Sequence, residues 1–118
     1  MSGVNETIDL YDLQKFTHYK GYSPTSTVVQ HFWKLLKTFS NEEIRLLIKF
    51  VTSCSRPPLL GFKYLNPPFT LQAIQDTDRL PIASTCFNIL KLPPYNNMQL
   101  LKEKLMKSIT MAKGFALT

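Results

Sequence analysis

Two thiols, Cys54 and Cys86, are the residues of this 118-residue chain best suited to covalent chemistry. A thiolate is a strong nucleophile and a good leaving group near neutral pH, so a cysteine can accept an acyl group and hand it on. The two sit in different company. Cys54 follows the apolar run Phe50-Val51-Thr52-Ser53, where a cysteine reads as a small buried hydrophobe. Cys86 follows Leu80-Pro81-Ile82-Ala83-Ser84-Thr85 and precedes Phe87-Asn88, a proline-bounded, hydroxyl-flanked stretch that places its thiol at a loop-to-strand junction. On the residues alone Cys86 stays open between an exposed nucleophile and a structural cysteine, because no histidine partner is visible beside it.

Other chemistries lack their residues. His18 and His31 are isolated, and neither cysteine belongs to a CxxC or CxH pair, so no metal site is expected. The four glycines do not cluster into a phosphate-binding loop, and no paired carboxylates flank an apolar run for general acid and base work. The expected cofactor set is empty.

The elements that must position a thiol read as follows. Ile8, Leu10, Leu13 and Phe16 predict a short helix stopped before a turn at Gly21 to Pro24. Val28, Val29, Phe32, Trp33, Leu35, Leu36 and Phe39 recur at helical spacing between Thr25 and Phe39. Ser40 followed by Glu43 is a capping box that starts a second amphipathic helix at Asn41, with Ile44, Leu47, Ile48 and Val51 on its stripe. Leu46 and Phe50 widen that stripe, so this helix is expected to be covered on more than one side. Ser55 to Gly61, with Pro57 and Pro58, must be loop. Alternation from Phe69 to Ile74 predicts a half-buried strand, and Thr85 to Leu92 a second, closed by Pro93-Pro94. Met98, Leu101, Leu105, Ile109 and Ala112 define a last helix, with Asn96 and Gln99 as its cap pair and Gly114 as the residue that ends it. Helices, then strands, then a closing helix is an α+β pattern in a single domain.

Fourteen Lys and Arg against eight Asp and Glu leave a net charge of +6. Only three of the basic residues are arginines, and several aromatics are needed on apolar faces, so the lysines read mainly as a solvated surface. A basic nucleic-acid binder is therefore the third-ranked function, and no nucleic-acid or membrane partner is expected. No apolar run reaches the roughly 18–20 residues of a membrane span. With two cysteines and no disulfide framework, a reducing cytoplasmic or nuclear compartment is expected.

The residues around Cys86 carry a resemblance. Leu80-Pro81-x-x-Ser84-Thr85-Cys86-Phe87-Asn88, followed by Leu90-x-Leu92-Pro93-x-Tyr95, resembles the active-site signature of the HECT ubiquitin-protein ligases. Arg56-Pro57-Pro58-Leu59-Leu60-Gly61-Phe62, the Phe32-Trp33 helix and the terminal Gly114-Phe115 resemble further parts of that family, in the same order. The run Phe50 to Phe62 is most similar to the branch with an N-terminal IQ motif. The resemblance implies a small HECT C-terminal catalytic lobe over residues 9–118, with helices around a short sheet and the cysteine on a loop at a strand start. Residues 1–8 are then a flexible N-terminal segment or inter-lobe linker. It further implies that Cys86 accepts ubiquitin from an E2 conjugating enzyme as a thioester and passes it to a lysine of a protein substrate. The E2 would be recruited by an N-terminal lobe absent from these residues, so the isolated chain is expected to be weak or inactive.

By the same resemblance Phe115 matches an aromatic used in the lysine-transfer step, while its plainer role is to dock the tail. Thr85 could orient the thiol or steady an oxyanion, or cap a strand end. Arg56 and Arg79 match basic positions near the active-site face, with a structural ion pair as the simpler role of each. Two departures stand out: Ile82 replaces the usual small or polar residue, and the Tyr19-Lys20-Gly21-Tyr22 turn is one residue shorter. A non-catalytic module that binds ubiquitin or a regulator is the alternative function.

Overall fold

The computed structural model describes residues 8–53 and 61–116, with 112–116 described by backbone alone. The expected α+β class holds: four helices pack around a four-stranded mixed sheet. Helix α1 (Leu10–Phe16) leads into strand β1 (His18–Lys20), followed by α2 (Thr27–Leu36) and α3 (Asn41–Thr52). A 3-10 turn at Phe62–Tyr64 precedes β2 (Thr70–Ala73), β3 (Ile82–Ser84), β4 (Ile89–Leu92) and α4 (Met98–Ala116).

Helix ends follow local polar chemistry. Asp9 accepts the Asp12 N–H at 3.2 Å to cap α1. Ser40 and Glu43 form the expected reciprocal box on α3, at 3.1 and 2.8 Å. Each satisfies a backbone donor that the first helical turn leaves orphaned. The cap of α4 is Asn97, whose Oδ1 accepts the Leu100 N–H at 2.8 Å, one residue later than expected. Helix α4 also runs through Gly114 to Ala116. A glycine in a helix costs only about 1 kcal/mol relative to alanine, too little by itself to force a stop.

The sheet order is β1-β2-β4-β3, with β1·β2 and β2·β4 parallel and β3·β4 antiparallel. The parallel β1·β2 pair needs a long crossover, and α2 and α3 supply it. The sequence places Tyr19 and Lys20, the last two residues of β1, in a turn. Tyr19 and Lys20 instead pair with Leu71 and Gln72, and the chain turns only at Gly21, where φ is +79°. A Cβ at Gly21 would lie 2.8 Å from the Ala73 Cβ, so both the backbone conformation and the close approach require glycine there.

Strand β2 is central, and Thr70 on its expected polar side is buried along with Phe69 and Leu71. Its hydroxyl is satisfied by the Pro68 carbonyl at 3.0 Å. Leu71, Leu90 and Leu92 are fully buried, each worth roughly 1.5–3 kcal/mol of transfer free energy. Helix α4 packs against α2 and α3, and α3 also lies on β3 and β4. Phe32 and Trp33 meet edge to face at 5.0 Å, and the Trp33 indole N–H donates to the Tyr19 hydroxyl at 3.2 Å. Ile8 is buried too, and its N–H donates to Asn41 Oδ1 at 3.0 Å.

The main departure from the sequence reading lies between Ile82 and Leu92. One continuous strand from Thr85 to Leu92 is expected from composition, but the structure is a hairpin: β3, a turn at residues 85–88, then β4. Asn88 takes a left-handed φ of +55°, and the Phe87 N–H folds back onto the Ser84 carbonyl at 3.1 Å, which breaks the ladder there.

Candidate functional site

Cys86 lies within the four-residue turn that joins β3 to β4, three positions before Ile89, and its side chain is exposed. The turn is closed by the paired residues Ser84 and Ile89. A tight hairpin of this kind needs a residue that tolerates positive φ, and asparagine does so more readily than most. Asn88 fills that position. Thr85 and Cys86 are exposed and Phe87 is 59% exposed, whereas Asn88 is 7% exposed. Three side chains thus project from a turn whose fourth member is sunk into the fold.

Both ends of the hairpin are fastened. At the C-terminal end, Asn88 Nδ2 donates to the Pro67 carbonyl at 2.7 Å, and the Asn88 carbonyl accepts the Thr70 N–H at 3.0 Å. On the approach to β3, the buried Ser108 of α4 donates its hydroxyl to the Pro81 carbonyl at 2.9 Å. The Tyr95 hydroxyl donates to the Arg79 carbonyl, and Lys104 Nζ reaches the Asp78 carbonyl at 3.4 Å. Burial raises the Tyr95 phenol well above its ordinary range, with smaller contributions from Tyr22 and Asp76, so it stays a proton donor. Tyr22, pushed up to about 12 by burial, donates to the Leu92 carbonyl at 2.7 Å.

Beside the turn is a cleft of about 430 Å³, lined by Phe50, Leu80, Pro81, Ile82, Ala83, Thr85, Ser108 and Met111. Ile82 and Met111 are partly exposed at its walls. Ile82, one of the two departures noted in the sequence, therefore contributes apolar surface to a cleft that reaches Thr85, the neighbour of the thiol. Thr85, exposed on the turn, also lines this cleft.

The structure brings Cys86 and Thr85 together on one turn. The backbone of α4 continues through Phe115, whose side chain lies outside the described residues, as do Cys54 and Arg56. Arg79 forms the simpler structural pair, with Asp76 at 3.7 Å; both are exposed, and such a pair contributes about 0–1 kcal/mol. Asn88 and Ser108 are supports that the sequence does not mark as such. The signal for Asn88 was its type at the end of a short polar turn ahead of an apolar strand. Nothing local marks Ser108, because its partner is 27 residues away.

Among the described residues no group of three or more His, Cys, Asp or Glu could hold a metal ion, and no helix is long and apolar enough to cross a membrane. Many lysines, among them Lys34, Lys37, Lys49, Lys102 and Lys107, are exposed to solvent. An exposed thiol on a pinned turn, with polar backbone groups around it, is suited to acyl transfer through sulfur.

The sequence matches the HECT-domain (ubiquitin-transferase) family over residues 1–118. It is 45% identical over 125 aligned residues to E3 ubiquitin-protein ligase UPL6 of Arabidopsis thaliana, covering 100% of this chain and 12% of that protein. It is 41% identical to ubiquitin-protein ligase E3B of Homo sapiens, covering 100% of this chain and 14% of that protein. It is 43% identical to E3 ubiquitin-protein ligase Nedd-4 of Drosophila melanogaster, covering 98% of this chain and 12% of that protein. The chain therefore spans a small fraction of the length of these relatives, and such similar identities do not single out one branch.

Proposed function

The chain belongs to the HECT-domain (ubiquitin-transferase) family, and from that premise we propose that it is the catalytic lobe in which Cys86 carries ubiquitin between an E2 and a substrate lysine. The observation that supports this reading is the placement of Cys86: exposed, at a turn with fastened ends, beside Thr85.

In the proposed first step the Cys86 thiolate attacks the carbonyl carbon of the thioester that joins ubiquitin to the E2 cysteine. A new S–C bond forms at Cys86, the old one breaks, and the E2 sulfur leaves as a thiolate. Charge is conserved, and no oxidant, metal or organic cofactor takes part. In the second step a neutral substrate lysine amine attacks the carbonyl carbon of the Cys86 thioester, the N–C bond forms as the C–S bond breaks, and the amine's proton passes to solvent while the Cys86 thiolate leaves. Thr85 is suited to orienting the thiol or donating to the developing oxyanion. Phe115 is assigned to the second step.

Ubiquitin, an E2 and protein substrates are the proposed partners, in a reducing cytoplasmic or nuclear compartment. The E2 is to be held by residues beyond this chain, so the isolated lobe is proposed to be weak or inactive, since proximity supplies much of the rate between two proteins. The similarity of Phe50–Phe62 to the branch with an IQ motif is kept as part of this proposal.

The test places this chain in a complete HECT domain and adds ubiquitin-loaded E2. A ubiquitin adduct that reductant removes is expected, retained in Cys54→Ala and lost in Cys86→Ala. Cys86→Ser is expected to give at most a slow adduct that survives reductant, because an oxygen ester replaces the thioester. A reductant-sensitive adduct that persists in Cys86→Ala refutes the assignment.

A further inference from the structure

We propose that Asn88 is a positioning residue for the Cys86 nucleophile: its side-chain amide clamps the C-terminal end of the turn to the Pro67 carbonyl and so fixes where the thiol stands. The proposal rests on Cys86 being the ubiquitin acceptor, and adds to that reading how the acceptor is held.

The exposed turn is held through its two ends, on the β3 side by the Ser108 to Pro81 bond and on the β4 side by Asn88. Thr85, Cys86 and Phe87 all face solvent, and the Phe87 N–H to Ser84 carbonyl bond of 3.1 Å is internal to the turn. What ties the turn to the body on its C-terminal side is Asn88, two positions beyond the thiol. Its Nδ2 reaches the Pro67 carbonyl at 2.7 Å, and its carbonyl accepts the Thr70 N–H at 3.0 Å, so one buried residue grips both ends of the segment that leads into β2. Pro67 and Pro68 have fixed φ, and Thr70 locks the same segment through its bond to the Pro68 carbonyl at 3.0 Å. The clamp therefore ends on a stiff support.

Asn88 meets two demands together. At a φ of +55° most side chains are strained, and asparagine is among the few that tolerate it. Glycine would meet the backbone demand better but has no amide to donate. Aspartate keeps the size but presents an acceptor to the Pro67 carbonyl, itself an acceptor. Acyl transfer between two proteins needs the sulfur aligned with a carbonyl brought by a partner, and a displacement of about 1 Å can cost a hundredfold in rate.

The experiment compares wild type, Asn88→Gly and Asn88→Asp in a complete HECT domain, by single-turnover ubiquitin transfer from the E2 to Cys86 across a range of loaded-E2 concentrations. The same samples are treated with iodoacetamide, a small electrophile that approaches from any direction, with alkylation read on the peptide that contains Cys86. Their thermal unfolding is also recorded. We expect the maximal transfer rate to fall roughly ten- to a hundredfold in both variants. The half-saturating concentration, the alkylation rate and the folded fraction at the assay temperature should stay near wild type.

A wild-type transfer rate in Asn88→Gly overturns the clamp while leaving Cys86 as acceptor. So does a defect confined to the half-saturating concentration, or one that tracks loss of folded protein. Failure of wild type to form an adduct on Cys86 overturns the underlying reading and the clamp with it.

Discussion

Ser108 of α4 donates its hydroxyl to the carbonyl of Pro81 at 2.9 Å, tying the last helix to the residue immediately ahead of β3. Both residues are buried. Because β3 delivers the chain to Thr85 and Cys86, this bond sets the position of the turn from its N-terminal side, as Asn88 does from the other.

Ser108→Ala removes the donor and leaves the buried Pro81 carbonyl unsatisfied, a loss of about 1–3 kcal/mol. Urea unfolding should show a lowered midpoint with an unchanged slope, since the same surface is exposed on unfolding. A midpoint equal to wild type would mean that water replaces the hydroxyl without cost and that the bond does not hold β3.

The helices and the strands differed in how far the sequence disclosed them, for a physical reason. Helices α2 and α3 each carry about three turns of apolar spacing, and α3 adds the Ser40 and Glu43 box, so local chemistry alone marks them. Strands β1 and β3 have three residues each, too few for a period of two to register, and what makes them strands is pairing with β2 and β4. The candidate site divides the same way. Cys86 and Thr85 stood out by residue type and by the resemblance around them. Their supports did not, because the Asn88 to Pro67 bond spans 21 residues and the Ser108 to Pro81 bond 27. The separation of β3 from β4 turns on the left-handed backbone of Asn88, which composition does not display.

Tyr22 and Tyr95 predict a specific response to alkali. Burial raises the Tyr22 phenol from an ordinary 10.0 to about 12, and raises Tyr95 further in the same direction. A pKa higher in the folded state than in the unfolded chain means that between those values the unfolded state has released a proton the folded state keeps. Stability from these groups is thus fully present below pH 10 and is lost as pH rises through about 12. Denaturant midpoints measured from pH 9 upward should fall in that window for wild type. Tyr22→Phe should be less stable at pH 9, having lost its bond to the Leu92 carbonyl, but should show a shallower decline. A decline equally steep in Tyr22→Phe and Tyr95→Phe would assign the alkaline response to other groups.

Phe115→Ala tests whether the two proposed acyl transfers have separate requirements. In the proposed reaction, capture of ubiquitin by Cys86 would exchange one thioester for another, and the sulfur lies on the turn between β3 and β4. Transfer onward requires a lysine amine to approach that thioester with its proton removed, a demand made only in the second step. If Phe115 serves that step, Phe115→Ala in a complete HECT domain should form the Cys86 adduct at the wild-type rate and discharge it to lysine at least tenfold more slowly, about 1.4 kcal/mol in activation free energy. Loading and discharge measured in separate single-turnover reactions distinguish the outcomes. Unchanged discharge refutes the role, and equal slowing of loading and discharge assigns Phe115 to holding the lobe together instead of to the lysine step.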